Sequence, residues 1–259
     1  MDTSARVDDG RSVVMQAGRD LAILLGSSPR AFCRMDEHGW LALSGEAGAD
    51  FNMAAVSLTC PPSTLDGYID EVEDRGHDAI LMIDERAPHL AETALARGLA
   101  AAGRVPVMAW HDTPLSAPAG SHLVRRAAES DMRAVNAAMA EAYSLDEAAV
   151  QRSMPPSLVT AGADVWMVDA EGTVAGSGTF IRTGDHVGIY CMATRPGFQR
   201  QGIGRAVLDV AMRYYLDDGV TTFTLEATAA GVRLYEQVGF ETVEQPSVYV
   251  IGASTQFAA

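Results

Sequence analysis

Cysteine is scarce in this chain: Cys33, Cys60 and Cys191 are three among 259 residues. They are too few and too scattered for a disulfide framework, and no His, Cys or carboxylate spacing suggests a metal site, so neither staple is expected. Long apolar runs are missing as well. None approaches the roughly 20 residues needed to cross a bilayer, which leads us to expect a soluble chain with no membrane partner. The opening MDTSARVDDG has no basic segment followed by an apolar core, so no secretory signal is read and the cytoplasm is the expected compartment. Positive charge is in deficit, with 19 basic residues against 34 acidic ones and a formal net charge of −15. Binding a polyanion depends on clustered basic side chains that release counterions, so nucleic acid is not an expected partner, whereas a cationic small molecule is compatible.

What is present is concentrated at residues 198–208, FQRQGIGRAVL, after an apolar stretch at 187–193 that reads as a strand. Gly202 and Gly204 carry no Cβ, so the backbone can approach an anion, and the first amides of the following helix point unpaired N–H groups at it. A Rossmann loop would need GxGxxG and a P-loop GxxxxGK followed by Ser or Thr, and neither pattern occurs. Gln199, Gly202 and Gly204 instead spell QxxGxG, which resembles the acetyl-CoA signature of the GCN5-related N-acetyltransferases, the GNAT family. Downstream, TTFTLE (221–226) reads as a strand, and GVRLYEQVGF (231–240) is similar to the family's LYEKLGF element. The order and spacing of the two motifs identify a GNAT domain.

The resemblance covers residues 121–251 and implies a mixed, mostly antiparallel α/β (α+β) sheet flanked by helices. Within it the residues read as a strand at 123–127, a helix at 129–142 capped by Ser130 or Asp131, a hairpin turning at Glu171-Gly172, and a strand at 186–194. A length of 259 residues leaves the first hundred unexplained by one such unit. DTPLSAPAGSH (112–122) has the composition of a linker. We therefore expect domains at 1–111 and 122–259 joined by residues 112–121. The first half repeats the order of the second, with strands at 40–43, 54–58, 79–83 and a closing strand at 105–110, and helices at 64–73 and 88–99. Cys60-Pro-Pro-Ser63 stands where QRQGIG would, and proline lacks the amide hydrogen that an anion cradle needs. It is read as a degenerate GNAT-like unit without coenzyme, giving two tandem units and one coenzyme.

Amide formation needs a neutral amine, a polarised carbonyl and a stabilised leaving thiolate. The resemblance implies acetyl-CoA as cosubstrate, no metal, and direct attack by a primary amine, from a small molecule or a peptide, in a ternary complex. It assigns the coenzyme to Met192, Ala193 and Thr194, where the fourth strand splays from the fifth, and to Gln199, Arg200, Gln201, Gly202, Ile203, Gly204 and Arg205. Thr228 joins them, although an asparagine is common there, and the connection ATAAGVRL before Tyr235 is shorter than in many relatives. Tyr235 is the acid for the thiolate, since a phenol near pKa 10 remains protonated where a thiol near roughly 8.5 does not. Glu226 is the candidate base, with Tyr190 and His186 as other options. Strand alternation places Tyr190 and Met192 on one face and Cys191 on the other. The acceptor pocket is expected from residues 143–156, the strand around Arg182 and the N-terminal half, with Trp40, Tyr143 and Trp166 as core or wall. The alternative function is a noncatalytic acyl-CoA-binding regulatory module, whose N-terminal half closes over the second or forms the surface of a homodimer.

Overall fold

The computed structural model describes residues 12–111, 114–115 and 122–252. The N-terminal decapeptide and most of the linker expected at 112–121 lie outside them. The first half runs α1 (Val13–Leu24), β1 (Phe32–Asp36), β2 (Gly39–Leu43), β3 (Asn52–Val56), α2 (Pro62–Asp74), β4 (Ala79–Ile83), α3 (Pro88–Ala96), β5 (Ala100–Arg104) and β6 (Val107–His111). The second runs β7 (Val124–Arg126), α4 (Met132–Tyr143), α5 (Glu147–Ser153), β8 (Ala163–Ala170), β9 (Thr173–Thr183), β10 (His186–Thr194), α6 (Ile203–Asp217), β11 (Thr222–Glu226), α7 (Val232–Val238), β12 (Glu241–Glu244) and β13 (Ser247–Ile251).

Local chemistry accounts for most of these boundaries. Between β8 and β9 both Glu171 and Gly172 take positive φ (52° and 77°), the conformation of a two-residue turn whose twist matches a hairpin. Asp131 lies one residue before α4 and its carboxylate reaches back to the Ala128 amide at 2.8 Å. Pro62 occupies the first position of α2, where its missing N–H costs nothing. Three elements had no signal in the residues. Helix α1 carries Gly18 and the buried Asp20 in its interior, β1 is largely exposed, and β5 is the exposed AAAGR.

Two sheets form, ordered β1-β2-β3-β4-β13-β5 and β12-β6-β11-β10-β9-β8-β7. Only β3 with β4 and β10 with β11 pair parallel. The halves exchange their last strands. Strand β6 lies between β11 and β12, with Trp110 opposite Phe223 and Val107 opposite Glu226. Reciprocally, β13 lies between β4 and β5, with Tyr249 opposite Leu81. The closing strand expected for the first half therefore completes the second sheet, and a division at 112–121 does not separate the sheets. Both exchanged strands, VMAWH and SVYVI, are apolar almost throughout, as central strands covered on both faces require.

The layers follow from this exchange. One apolar cluster, with Leu21, Trp40, Met82, Val135, Met139 and Ile181, gathers α1, α4 and one face of each sheet. Helices α2 and α3 cover the other face of the first sheet through Leu65, Tyr68 and Leu90. Helix α6 covers the far face of the second through Val207, Leu208 and Ala211. Polar ties also cross between the halves. Glu46 is held by Arg30 and by Arg152, at 2.5 and 2.6 Å, and Arg152 keeps its carboxyl below the usual range. Glu244 receives the Val13 amide at the start of α1 at 2.6 Å, which suits a carboxylate at a helix N-terminus.

Candidate active site

Strands β10 and β11 pair from His186 opposite Thr222 to Ile189 opposite Leu225 and then part. Beyond that point the freed edge of β10 faces a cavity. On its other side β10 is bulged against β9: Tyr190 faces Thr179, and the next partner of β9, Ser177, is reached only at Ala193. The extra residue is accommodated by Cys191 at φ 52°. A bulge breaks alternation, and it corrects the expected facing of these side chains. Tyr190 and Cys191 both pack toward the cluster of α1 and α4, while Met192 packs toward α6. Burial raises the Cys191 thiol to about 12, so it is no nucleophile at neutral pH.

The cavity is about 820 Å³ and reaches both faces of the second sheet. Met192, Ala193, Thr194, Gln199, Arg200, Gly202, Ile203, Gly204, Arg205, Glu226, Thr228 and Tyr235 all line it. Gly202 precedes α6 in the left-handed conformation, φ 82° and ψ 7°, which a side chain would strain. Arg205 is braced by the buried Asp209 at 2.8 Å and by the Gln237 carbonyl at 3.1 Å. Gln201 is not in the lining; its side chain donates to the Gly197 carbonyl and its own carbonyl contacts His122. Thr228 has a structural task too, its hydroxyl accepting from the Gly231 amide at 3.2 Å ahead of α7.

Tyr235 is 7 % exposed, edge-on to Phe240, and burial pushes its hydroxyl up to about 12. Glu226 ends β11. Its Oε1 is buried without a hydrogen-bond partner among the described residues, and burial raises its carboxyl to about 7. His186 lies at the paired end of the strands, bonded to Thr224 at 2.7 Å and outside the cavity. Arg182 turns to Asp218 instead of the pocket. Trp40 and Trp166 are core, whereas Tyr143 is wall.

Two contributors, Asp20 and Gly188, had little signal in the residues, and Tyr143, expected as core or wall, has a further task. Tyr143 donates to the Met192 carbonyl at 2.7 Å, pinning the bulge. Asp20, from α1 of the first half, is 1 % exposed and accepts from Tyr190 at 3.1 Å and Thr183 at 3.0 Å. Gly188 makes that meeting feasible, since a Cβ there would lie 2.2 Å from Asp20 Oδ2. A glycine inside an apolar strand is the one clue available beforehand. Leu21, Leu24, Leu25, Phe51 and Met53 bring the first half into the lining.

A parallel pair of strands that parts beside a glycine-started helix, with a tyrosine and a carboxylate at the opening, is the architecture of an acyltransferase. Residues 129–254 match the family model described as an acetyltransferase (GNAT) domain, and this part of the chain belongs to the GNAT family. Solved structures extend the likeness across both halves. A GCN5-related N-acetyltransferase from Kribbella flavida superposes with a TM-score of 0.68 at 16 % identity, covering 94 % of this chain and 97 % of its own. One from Sphaerobacter thermophilus gives 0.61 at 15 %, covering 82 % and 76 %. A tandem GNAT protein from the clavulanic acid biosynthesis pathway gives 0.59 at 14 %, covering 96 % and 92 %. No curated protein matches the chain. Among the described residues no group of three or more His, Cys, Asp or Glu gathers as a metal site, and no helix is long and apolar enough to cross a membrane.

Proposed function

We propose that the chain is an N-acetyltransferase that uses acetyl-CoA to acetylate a primary amine by direct attack in a ternary complex. The observation that carries this reading is the pairing, in one cavity, of Glu226, whose Oε1 is buried without a partner among the described residues, with a protonated phenol at Tyr235. Acetyl-CoA supplies an acetyl group activated as a thioester. The first amides of α6, set by Gly202, and the arginines Arg200 and Arg205 would hold its phosphates. The freed edge of β10 at 190–194 offers backbone donors to its pantetheine arm and carbonyl. Glu226, ionised above about 7, takes a proton from the acceptor nitrogen. Tyr235, neutral up to about 12, gives one to sulfur.

In the first half Pro61 and Pro62 begin α2, so two amides of an equivalent cradle are absent. This supports one coenzyme per chain. The test is release of free thiol from acetyl-CoA over polyamines, amino acids, aminoglycosides and peptide N-termini. The chain has no lysine, so self-modification at lysine cannot mimic turnover. Tight acetyl-CoA binding without thiol release from any acceptor would replace this reading with a noncatalytic acyl-CoA-binding module.

A further inference from the structure

The cavity is larger than the coenzyme cradle, and its two sides differ in chemistry. Its cationic lining residues, Arg200, Arg205 and Arg233, belong to the loop before α6, to α6 and to α7. Across the sheet, on the face of α1 and α4, the wall is made by Leu21, Leu24, Phe51, Met53, Met139 and Met154. Among the described residues no Lys, Arg or His lines that side. Its charged group is Asp50, at the exposed rim beside Phe51, whose carboxyl burial holds above its ordinary value. Glu226 lies where the two sides meet.

We propose that the acceptor is an apolar primary amine without a carboxylate next to its nitrogen, and that the N-terminal half supplies much of the wall that selects it. The proposal rests on the acyltransfer reading. An ammonium entering this side meets the unpartnered Oε1 of Glu226 and the Asp50 rim, which complement its charge. A carboxylate beside the nitrogen would be drawn into the same acidic space, where no cation among the described residues pairs it. The hydrocarbon of the acceptor removes the wall from water. A longer acyl chain could fill the same apolar volume, but it would leave the Glu226 carboxyl facing methylenes with no partner. Transfer balances as amine plus thioester giving amide plus thiol. The C–S bond breaks as C–N forms, the proton leaves nitrogen for Glu226, and sulfur takes one from Tyr235.

The experiment uses the full chain and compares 2-phenylethylamine with phenylalanine, which differ by one carboxylate, and with spermidine, each at saturating acetyl-CoA. Expected is a kcat/KM for 2-phenylethylamine at least about tenfold above either, because a site built to exclude an unpaired charge discriminates strongly. Phe51→Ser should raise the KM for 2-phenylethylamine by about tenfold, the effect of losing one large apolar contact, with the Kd for acetyl-CoA unchanged. Equal or better use of phenylalanine or spermidine would overturn the proposal while leaving acetyl transfer standing. So would turnover that climbs from acetyl-CoA to octanoyl-CoA with the amine held constant, since the apolar side would then be an acyl pocket. Acetyl-CoA binding with no turnover of any amine would instead remove the acyltransfer reading, and this proposal with it.

Discussion

The hydroxyl of Tyr190 donates to Oδ2 of Asp20 at 3.1 Å, and in doing so joins the bulged strand of the acetyltransferase sheet to the first helix of the N-terminal half. Burial dominates the Asp20 carboxyl and pushes it up to about 6 in spite of hydrogen bonds from Thr183 and Tyr190 and the nearby Arg19. A carboxyl whose folded value lies above its unfolded one stabilises the fold most below about pH 4, and that contribution is lost as pH rises through about 6.

Asp20→Asn removes the charge and keeps one acceptor oxygen for one hydroxyl, while its NH2 group donates to the oxygen of the other. It should therefore raise unfolding stability at pH 8 by up to about 3 kcal/mol, at roughly 1.36 kcal/mol per unit, and by only about 1 kcal/mol at pH 4.5. Urea unfolding of both proteins at the two pH values measures this. A stabilisation that is the same at both would show that the Asp20 charge is not the cause.

Glu226 sets the second expectation. With its carboxyl at about 7, acetyl transfer should rise with pH through that value and level off above it. Glu226→Gln should flatten this limb and lower kcat by about 10²- to 10⁴-fold. A variant that retains the wild-type profile would exclude Glu226 as the base.

Tyr235→Phe tests the other proton. Turnover should fall by about 10²- to 10⁴-fold, while the Kd for acetyl-CoA, read by calorimetry, stays within about twofold because the coenzyme's phosphates are held elsewhere. Unchanged turnover with a responsive amine would rule out the acid role.

Gly202 and the coenzyme count are tested together. Titration with CoA should give one site per chain. Gly202→Val forces a β-branched residue to φ 82°, a strain of about 1–2 kcal/mol, and the displaced amides should weaken CoA binding by tenfold or more. Two sites per chain would contradict the reading of Pro61 and Pro62.

The exchanged strands carry a prediction about folding. A chain of residues 122–259 alone lacks β6 and so opens the second sheet between β11 and β12, leaving unpaired edges that favour aggregation. Gel filtration and circular dichroism should show an aggregated or unfolded product. A monomeric, CoA-binding fragment would show that β6 is dispensable.

Much of this architecture was legible from local chemistry. Turn residues at Glu171-Gly172, the apolar runs at 79–83 and 222–226, and the GIG loop ahead of α6 each act within a few residues, so their order pointed to the acetyltransferase (GNAT) domain that the family model matches. Side-chain direction at Tyr190, Cys191 and Met192 was not legible, because one bulged residue inverts the pattern and the bulge is fixed by Tyr143, 49 positions away. Helix α1 was hidden because its buried Asp20 looks wrong for a core until Tyr190 and Thr183 are beside it.

The sequence by itself determined the QxxGxG loop, its single occurrence, and the residues proposed as acid and base, since these depend on residue type and on spacing along the chain. Only the tertiary structure decided that the halves trade their final strands, that Asp20 meets Tyr190, and which residues of the first half line the cavity. Those are contacts between segments more than a hundred residues apart, and burial against a distant partner, unlike a turn or a cap, leaves no local pattern for the chain to display.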